Sequence, residues 1–177
     1  MTAWLLRMSD RDEMLLHALV LRRRGWLDRV MRTVTRLGDP ASAIAAAGVL
    51  LLVGARDAGA RAAFALTASH LAAQAVKRTV SRPRPRLPVG VESLIHAPDR
   101  FSFSSGHSAA ALSVAIPLAA TLPFPAAGGV LGLALLVGVS RSYLGVHYPG
   151  DVLAGWVLAA AGAASAGPIL ALVSGAR

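Results

Sequence analysis

The sequence predicts an all-α fold: an integral membrane helical bundle of about five transmembrane helices, with an N-terminal amphipathic helix lying at the membrane interface. Three observations predict it. Apolar residues make up 55% of the 177, and the mean hydropathy is +0.57, both high for a soluble domain of this size. No Lys, Arg, Asp or Glu occurs from Phe101 to Val139 or from Val152 to Ala176. Such runs match the roughly 20 apolar residues needed to cross a bilayer, and so small a soluble domain could not bury several of them.

The elements follow in order. Residues 11–37 read as one or two amphipathic helices, with Leu15, Leu16, Leu19 and Val20, then Leu27, Val30, Met31 and Val34, at helical spacing. Arg22-Arg23-Arg24 between them would be costly at mid-membrane, so the segment lies in the interface with Trp26 as an anchor. Gly38-Asp39-Pro40 turns the chain inward. The first span runs from about Pro40 to Ala55 and the second from about Ala58 to Val76. A basic loop from Lys77 to Ser105 follows, its four prolines (Pro83, Pro85, Pro88, Pro98) excluding a regular helix. The third span runs from Gly106 to Pro123, and the fourth from Ala126 to Val139. The fifth runs from Pro149, where proline suits a first helical turn, to about Val173. Gly128 and Gly132 form a small-xxx-small pair that suggests close helix approach, although chance matches are common in so Ala- and Gly-rich a chain. The whole is one domain, an interfacial segment over 1–38 and a bundle over 39–177.

Other classes are excluded by composition. There is no cysteine, hence no disulfide, thiolate nucleophile or Cys-based metal site. The net charge of +9 would suggest nucleic acid in a soluble protein, but aromatic residues are only 5% and the basic residues flank apolar segments. Lipid headgroups or a phosphorylated lipid substrate are the expected partners, and nucleic acid is not. No secretory leader is expected, because Arg7, Asp10, Arg11, Asp12 and Glu13 interrupt the start.

Alternating passes bring Lys77, Arg84, His107, Arg141, His147 and Asp151 to one side of the bundle. Three cations beside a bilayer need an anion, and the nearby sequence offers only Asp151, Glu92 and Asp99. Phosphate fits: arginine grips two of its oxygens and lysine adds a point charge. Ser105 and Gly106 stand just ahead of a helix whose N–H groups favour an anion. A neutral imidazole can attack phosphorus and an imidazolium can protonate a leaving oxygen. His147 has Asp151 four residues on, close enough to orient the ring, although Asp151 also reads as an ordinary helix N-terminal charge. His107 has no such partner in its neighbourhood, which suits an acid role. A metal held by two histidines and one aspartate is the chemical rival, and the crowd of cations argues against it.

Lys77 followed by Arg84-Pro85, then Ser105-Gly106-His107, then Ser140-Arg141 with His147 and Asp151, resembles the three motifs of the type 2 phosphatidic acid phosphatase superfamily over residues 70–160. Ser104 stands where proline is usual, which implies a tuned loop. The resemblance implies metal-independent chemistry with no cofactor. Lys77, Arg84, Arg141, Ser105 and Gly106 would hold phosphate, His147 would form a phosphohistidine oriented by Asp151, and His107 would protonate the leaving group. It implies a hydrolase of lipid phosphate monoesters or diphosphates in a bacterial plasma membrane. Candidate substrates are polyprenyl phosphates or diphosphates, a polyprenyl-phosphoribose phosphate, phosphatidylglycerol phosphate and phosphatidic acid. A non-catalytic binder of a phosphorylated lipid, and a vanadate-holding oxidase, are the alternatives.

Remaining residues take ordinary readings: His17 interfacial, His70 inside the second span, His96 a solvated loop histidine or a headgroup contact, Arg82 and Arg86 surface charge or substrate or lipid contacts beside the first cations, Tyr143 and Tyr148 interfacial aromatics. Leaving aside the three phosphate ligands, twelve Lys and Arg flank the site side against Arg56, Arg61 and Arg177 opposite. The positive-inside rule then puts the site at the cytoplasmic face.

Overall fold

The computed structural model describes residues 3–97 and 99–174, with side chains placed from residue 10 to residue 173. Pro98, Arg177 and the side chain of Arg7 lie outside the described residues. The described residues form seven α-helices: α1 (Ala3–Val20), α2 (Gly25–Val34), α3 (Pro40–Leu52), α4 (Arg56–Val80), α5 (Gly106–Ala119), α6 (Phe124–Tyr143) and α7 (Pro149–Ser174). A short 3₁₀ turn, Thr35–Gly38, joins α2 to α3. Among the described residues there is no strand, only one isolated bridge between Pro83 and Phe101.

Prolines mark the helix starts, at the first turns of α3, α6 and α7, where a missing N–H costs nothing. Ser105 caps α5 instead, its hydroxyl accepting from the Ser108 N–H. α5 is apolar on every side and touches α3, α4, α6 and α7, so it forms the axis of the bundle. Alanines of α3, α4 and α5 make one core (Ala43, Ala47, Ala62, Ala110), and α5, α6 and α7 make a second around Ala115, Val137 and Ala159.

α6 and α7 are long and apolar enough to cross a membrane, and α3 and α5 are shorter apolar helices. Only 28% of the α6 window and 17% of the α7 window are buried, where a soluble core helix would be mostly buried. Leu153, Val157, Leu172 and Val173 are instead exposed along α7.

Three expectations change. The second helix extends to Val80 and the fourth to Tyr143, so Lys77 and Arg141 lie within helices rather than beyond them. Long basic side chains in a last turn can bend to a polar cavity and suit the helix C-terminus. Gly128 and Gly132 face open space, and the close approaches are elsewhere: Gly138 lies against Trp156, Gly155 against the Ser105 backbone and Gly162 against Ala65. The N-terminal segment is two helices whose apolar faces partly turn toward the protein. Leu16 and Val20 bury against Tyr148, and Met31 against Tyr143 and Leu144, while Leu15, Trp26 and Val30 stay exposed.

Candidate active site

The turn between α6 and α7 is closed on one carbonyl. The N–H groups of Val146 and His147 both donate to Arg141 O, at 3.1 and 3.3 Å. Gly145 makes the reversal with φ of +83°, a conformation that costs a side-chain-bearing residue energy. This fold-back places the Arg141 and His147 side chains at one end of the bundle. Pro149 then opens α7, so Asp151 falls in its first turn. The Asp151 carboxylate caps that turn, Oδ2 accepting from the Tyr148 N–H at 2.9 Å. Its backbone carbonyl accepts from the Ser105 N–H at 3.0 Å, tying the start of α5 to the start of α7.

The loop from α4 to α5 is pinned by Ser102, whose N–H donates to Arg82 O and whose hydroxyl donates to Pro83 O. Arg82 reaches Asp12 of α1 and Asp151 of α7, and Arg84 reaches Val146 and His147 of the α6–α7 turn.

A cavity of about 1020 Å³ lies at this end. Lys77, Arg84, Gly106, His107, Arg141 and His147 line it, so six of the eight site residues expected from sequence share one wall. The other two lie behind. Asp151 is fully buried, with Oδ2 3.6 Å from His147 Nδ1. Ser105 is fully buried, its hydroxyl accepting from the Ser108 hydroxyl at 2.7 Å, so it braces the helix start while Gly106 fronts the cavity. Ser104 is also buried and off the cavity wall. Farther from the cations the lining includes Ile44 of α3 and Leu66 and Leu71 of α4, with Thr67, Ser69 and His70 among them. Ile44 and Leu71 are exposed on the outside of the helices. Leu66 lies about 16 Å from Lys77 along α4, by the rise of an α-helix.

The cations differ in their partners. Lys77 Nζ and Arg84 Nη2 each lie 2.7 Å from a different oxygen of Asp99. Arg84 Nη1 donates to Val146 O at 2.7 Å and lies 2.9 Å from His147 Nε2. Arg141 is 2% exposed and forms no ion pair among the described residues. Its Nη1 donates to the Thr35 hydroxyl at 2.9 Å and its Nε has no partner. A buried guanidinium without a counter-charge is costly unless an anion arrives. His147 is also buried, which pushes its pKa down from 6.5 to about 4, with Arg84 and Arg141 adding to the shift and Asp151 opposing it. The ring is therefore neutral at pH 7, with Nε2 accepting from Arg84 and Nδ1 toward Asp151.

Three sequence readings are corrected. His107 does have a carboxylate partner: its Nε2 lies 2.8 Å from Asp39 Oδ1, 68 residues away, at the cap of α3. Arg82 is not free surface charge. Its Nη1 lies 2.8 Å from Asp151 Oδ1 and 2.9 Å from Asp12 Oδ2, and its guanidinium sits 4.0 Å over the Tyr148 ring. Tyr143 likewise works inside the protein, its hydroxyl donating to Asp28 and accepting from the Arg24 N–H. His70 and His96 line the cavity, and His17 bonds Arg86 O. The only local signal for Asp39 was the proline that follows it, and Arg82 carried none.

The profile of the PAP2 superfamily matches residues 58–170. The chain is 35% identical over 130 residues to decaprenylphosphoryl-5-phosphoribose phosphatase of Mycolicibacterium smegmatis, covering 70% of this chain and 68% of that one. It is 35% identical over 164 residues to phosphatidylglycerophosphatase B of Bacillus subtilis, covering 83% and 77%. In three dimensions it is similar to a crystal structure of a transmembrane PAP2 type phosphatidylglycerolphosphate phosphatase from Bacillus subtilis. The TM-score is 0.75 and the identity 29%, over 97% of this chain and 90% of that one. The Aquifex aeolicus LpxE structure shares the fold at a TM-score of 0.78, with 23% identity over 86% and 92% of the two chains.

Proposed function

The chain belongs to the PAP2 superfamily, and on that premise we propose that it is an integral membrane phosphatase that hydrolyses a lipid phosphate monoester or diphosphate through a phosphohistidine on His147. The observation that carries this reading is the buried guanidinium of Arg141, without an ion-pair partner among the described residues, beside the neutral imidazole of His147, in a cavity that Ile44, Leu66 and Leu71 also line. The cations suit a phosphate, and the three aliphatic side chains give an apolar tail something to lie against.

Lys77, Arg84 and Arg141, with the Gly106 N–H, hold the phosphate and stabilise charge on its equatorial oxygens. Arg84 moves from His147 Nε2 onto the phosphate, which frees the lone pair. Nε2 then forms the bond to phosphorus as the bond to the lipid oxygen breaks. Asp151 receives the Nδ1–H and balances the charge on the ring. His107, supported by Asp39, gives its proton to the leaving oxygen. It then takes a proton from the water that attacks the phosphohistidine, which releases phosphate and restores both histidines.

In this reading α3 to α7 are the five spans, α1 and α2 lie at the interface on the site side, and the charge bias favours a site at the cytoplasmic face of a bacterial plasma membrane. The relatives' names favour polyprenyl-phosphoribose phosphate and phosphatidylglycerol phosphate as the first substrates to try, with polyprenyl phosphates, polyprenyl diphosphates and phosphatidic acid beside them. The test is phosphate release by the purified chain across that panel, with chelator present and with vanadate as inhibitor. Release from at least one lipid, insensitive to chelator and blocked by vanadate, is expected. A chain that binds these lipids but releases no phosphate from any of them is a binder and not an enzyme.

A further inference from the structure

The cradle expected to hold phosphate already contains a carboxylate. Asp99 Oδ2 lies 2.7 Å from Lys77 Nζ and Asp99 Oδ1 2.7 Å from Arg84 Nη2. The Phe101 N–H donates to Oδ1 at 3.2 Å, and Arg84 Nε donates to the Asp99 carbonyl at 3.2 Å. The same guanidinium reaches His147 Nε2 through its other terminal nitrogen. One anion on the α4–α5 loop therefore engages two of the three clamp cations and holds Arg84 on the nitrogen that would attack.

The two sides of this contact are unequally anchored. The side chains of Lys77 and Arg84 are 14% and 18% exposed, whereas that of Asp99 is 40% exposed. The carboxylate can move out to water at modest cost, while the cations stay behind and need a replacement anion. Burial would raise the carboxyl pKa of Asp99, but hydrogen bonds and charge from Lys77 and Arg84 outweigh it and hold the group ionised.

We propose that Asp99 is a specificity-determining residue, a resident monoanion that admits phosphomonoesters to the clamp and turns away the phosphodiester lipids of the surrounding membrane. The reason is charge. A phosphodiester headgroup carries one negative charge, so exchanging it for the Asp99 carboxylate gains nothing in Coulomb energy. A phosphomonoester carries about −1.5 to −2 at pH 7, so the exchange leaves the clamp better neutralised. In a bilayer where diesters vastly outnumber the substrate, an open clamp of three cations would be occupied by the wrong lipid. Selection against a competitor by making its binding break an existing ion pair is a repulsive device of the kind that specificity commonly needs.

The inference rests on the phosphatase reading, and the experiment separates the two. The full chain in mixed micelles is assayed on phosphatidic acid with phosphatidylglycerol as the diester competitor. Wild type, Asp99→Asn, Asp99→Ala and Asp99→Glu are compared. Thermal shifts with inorganic phosphate and with phosphatidylglycerol are read beside turnover. For Asp99→Asn and Asp99→Ala the inhibition constant of phosphatidylglycerol is expected to fall about tenfold or more, well beyond any change in KM for the monoester, and Asp99→Glu is expected to retain wild-type discrimination. Equal changes in KM and in the inhibition constant, or no change in either, overturn the inference. If no variant releases phosphate from any lipid of the panel above, yet the thermal shifts still show Asp99-dependent preference for phosphate over the diester, the inference stands and the phosphatase reading falls.

Discussion

The guanidinium of Arg82 lies 2.8 Å from Oδ1 of Asp151, whose other oxygen faces His147 at 3.6 Å. Asp151 is thus held on two sides, by Arg82 and by the Tyr148 N–H, and turns its Oδ2 to His147. Arg82 is in turn fixed by Asp12 of α1 and by the Tyr148 ring.

Replacing Arg82 with Gln should release Asp151 without touching the phosphate clamp. The expected result is a fall in kcat of roughly 10- to 100-fold with KM little changed, as for other partners that orient a catalytic group. Arg82→Lys, which keeps a charge, should recover part of the loss. Steady-state kinetics check this, and a change confined to KM would assign Arg82 to substrate binding instead.

The pair Asp39–His107 makes a different kind of prediction. A general acid matters most when the leaving group is poor. His107→Gln should lower kcat on a lipid phosphate by about 10²- to 10⁴-fold but much less on an aryl phosphate, whose leaving oxygen needs no proton. Asp39→Asn should show the same pattern in weaker form. Equal losses on both substrates would remove His107 from the acid role.

These two pairs also show where sequence reading ends. The charge-free stretches of α5 and α7 were legible, because a membrane and an apolar core impose the same rule on every residue there. The Arg141, His147 and Asp151 spacing was legible because one tight turn and the first turn of α7 hold all three. Asp39–His107, Arg82–Asp151 and Thr35–Arg141 span 68, 69 and 106 residues. Thr35 and Asp39 meet their partners only when the α2–α3 turn docks over the site end of the bundle, and Arg82 meets Asp151 only when the α4–α5 loop packs on α7; no local period records either meeting. The ends of α4 and α6 were misjudged because Lys77 and Arg141 looked like boundaries, whereas their long stems let a helix continue while the charge reaches the cavity. Gly128 and Gly132 failed for a related reason: composition made the pattern, and the real close approaches at Gly155 and Gly162 depend on what faces them.

Burial sets the protonation of His147. Its pKa is lowered from 6.5 to about 4, so in the free protein the neutral, nucleophilic form persists as pH falls through 6 and is lost only nearer 4. Imidazole resonances in detergent micelles, with the His147 signal assigned by its absence in His147→Ala, should remain those of a neutral ring at pH 5.5. A midpoint close to 6.5 would contradict the buried, cation-flanked environment.

Arg141 separates stability from function. Its guanidinium is buried, with no carboxylate among the described residues paired to it. Replacement of buried charges by apolar side chains of similar volume is often neutral or stabilising by about 1–4 kcal/mol. Arg141→Met should therefore keep or raise the melting temperature while abolishing vanadate inhibition and turnover together. A variant that unfolds but binds vanadate normally when folded would make Arg141 a structural residue.

The central claim is that His147 carries phosphate during turnover, and rapid quench of the chain with a ³²P-labelled lipid phosphate tests it most directly. Wild type should trap protein-bound label that is lost in acid and stable in base, as a phosphohistidine is, and the folded His147→Ala variant should trap none and release no phosphate. Near-normal phosphate release by that variant would contradict the assignment.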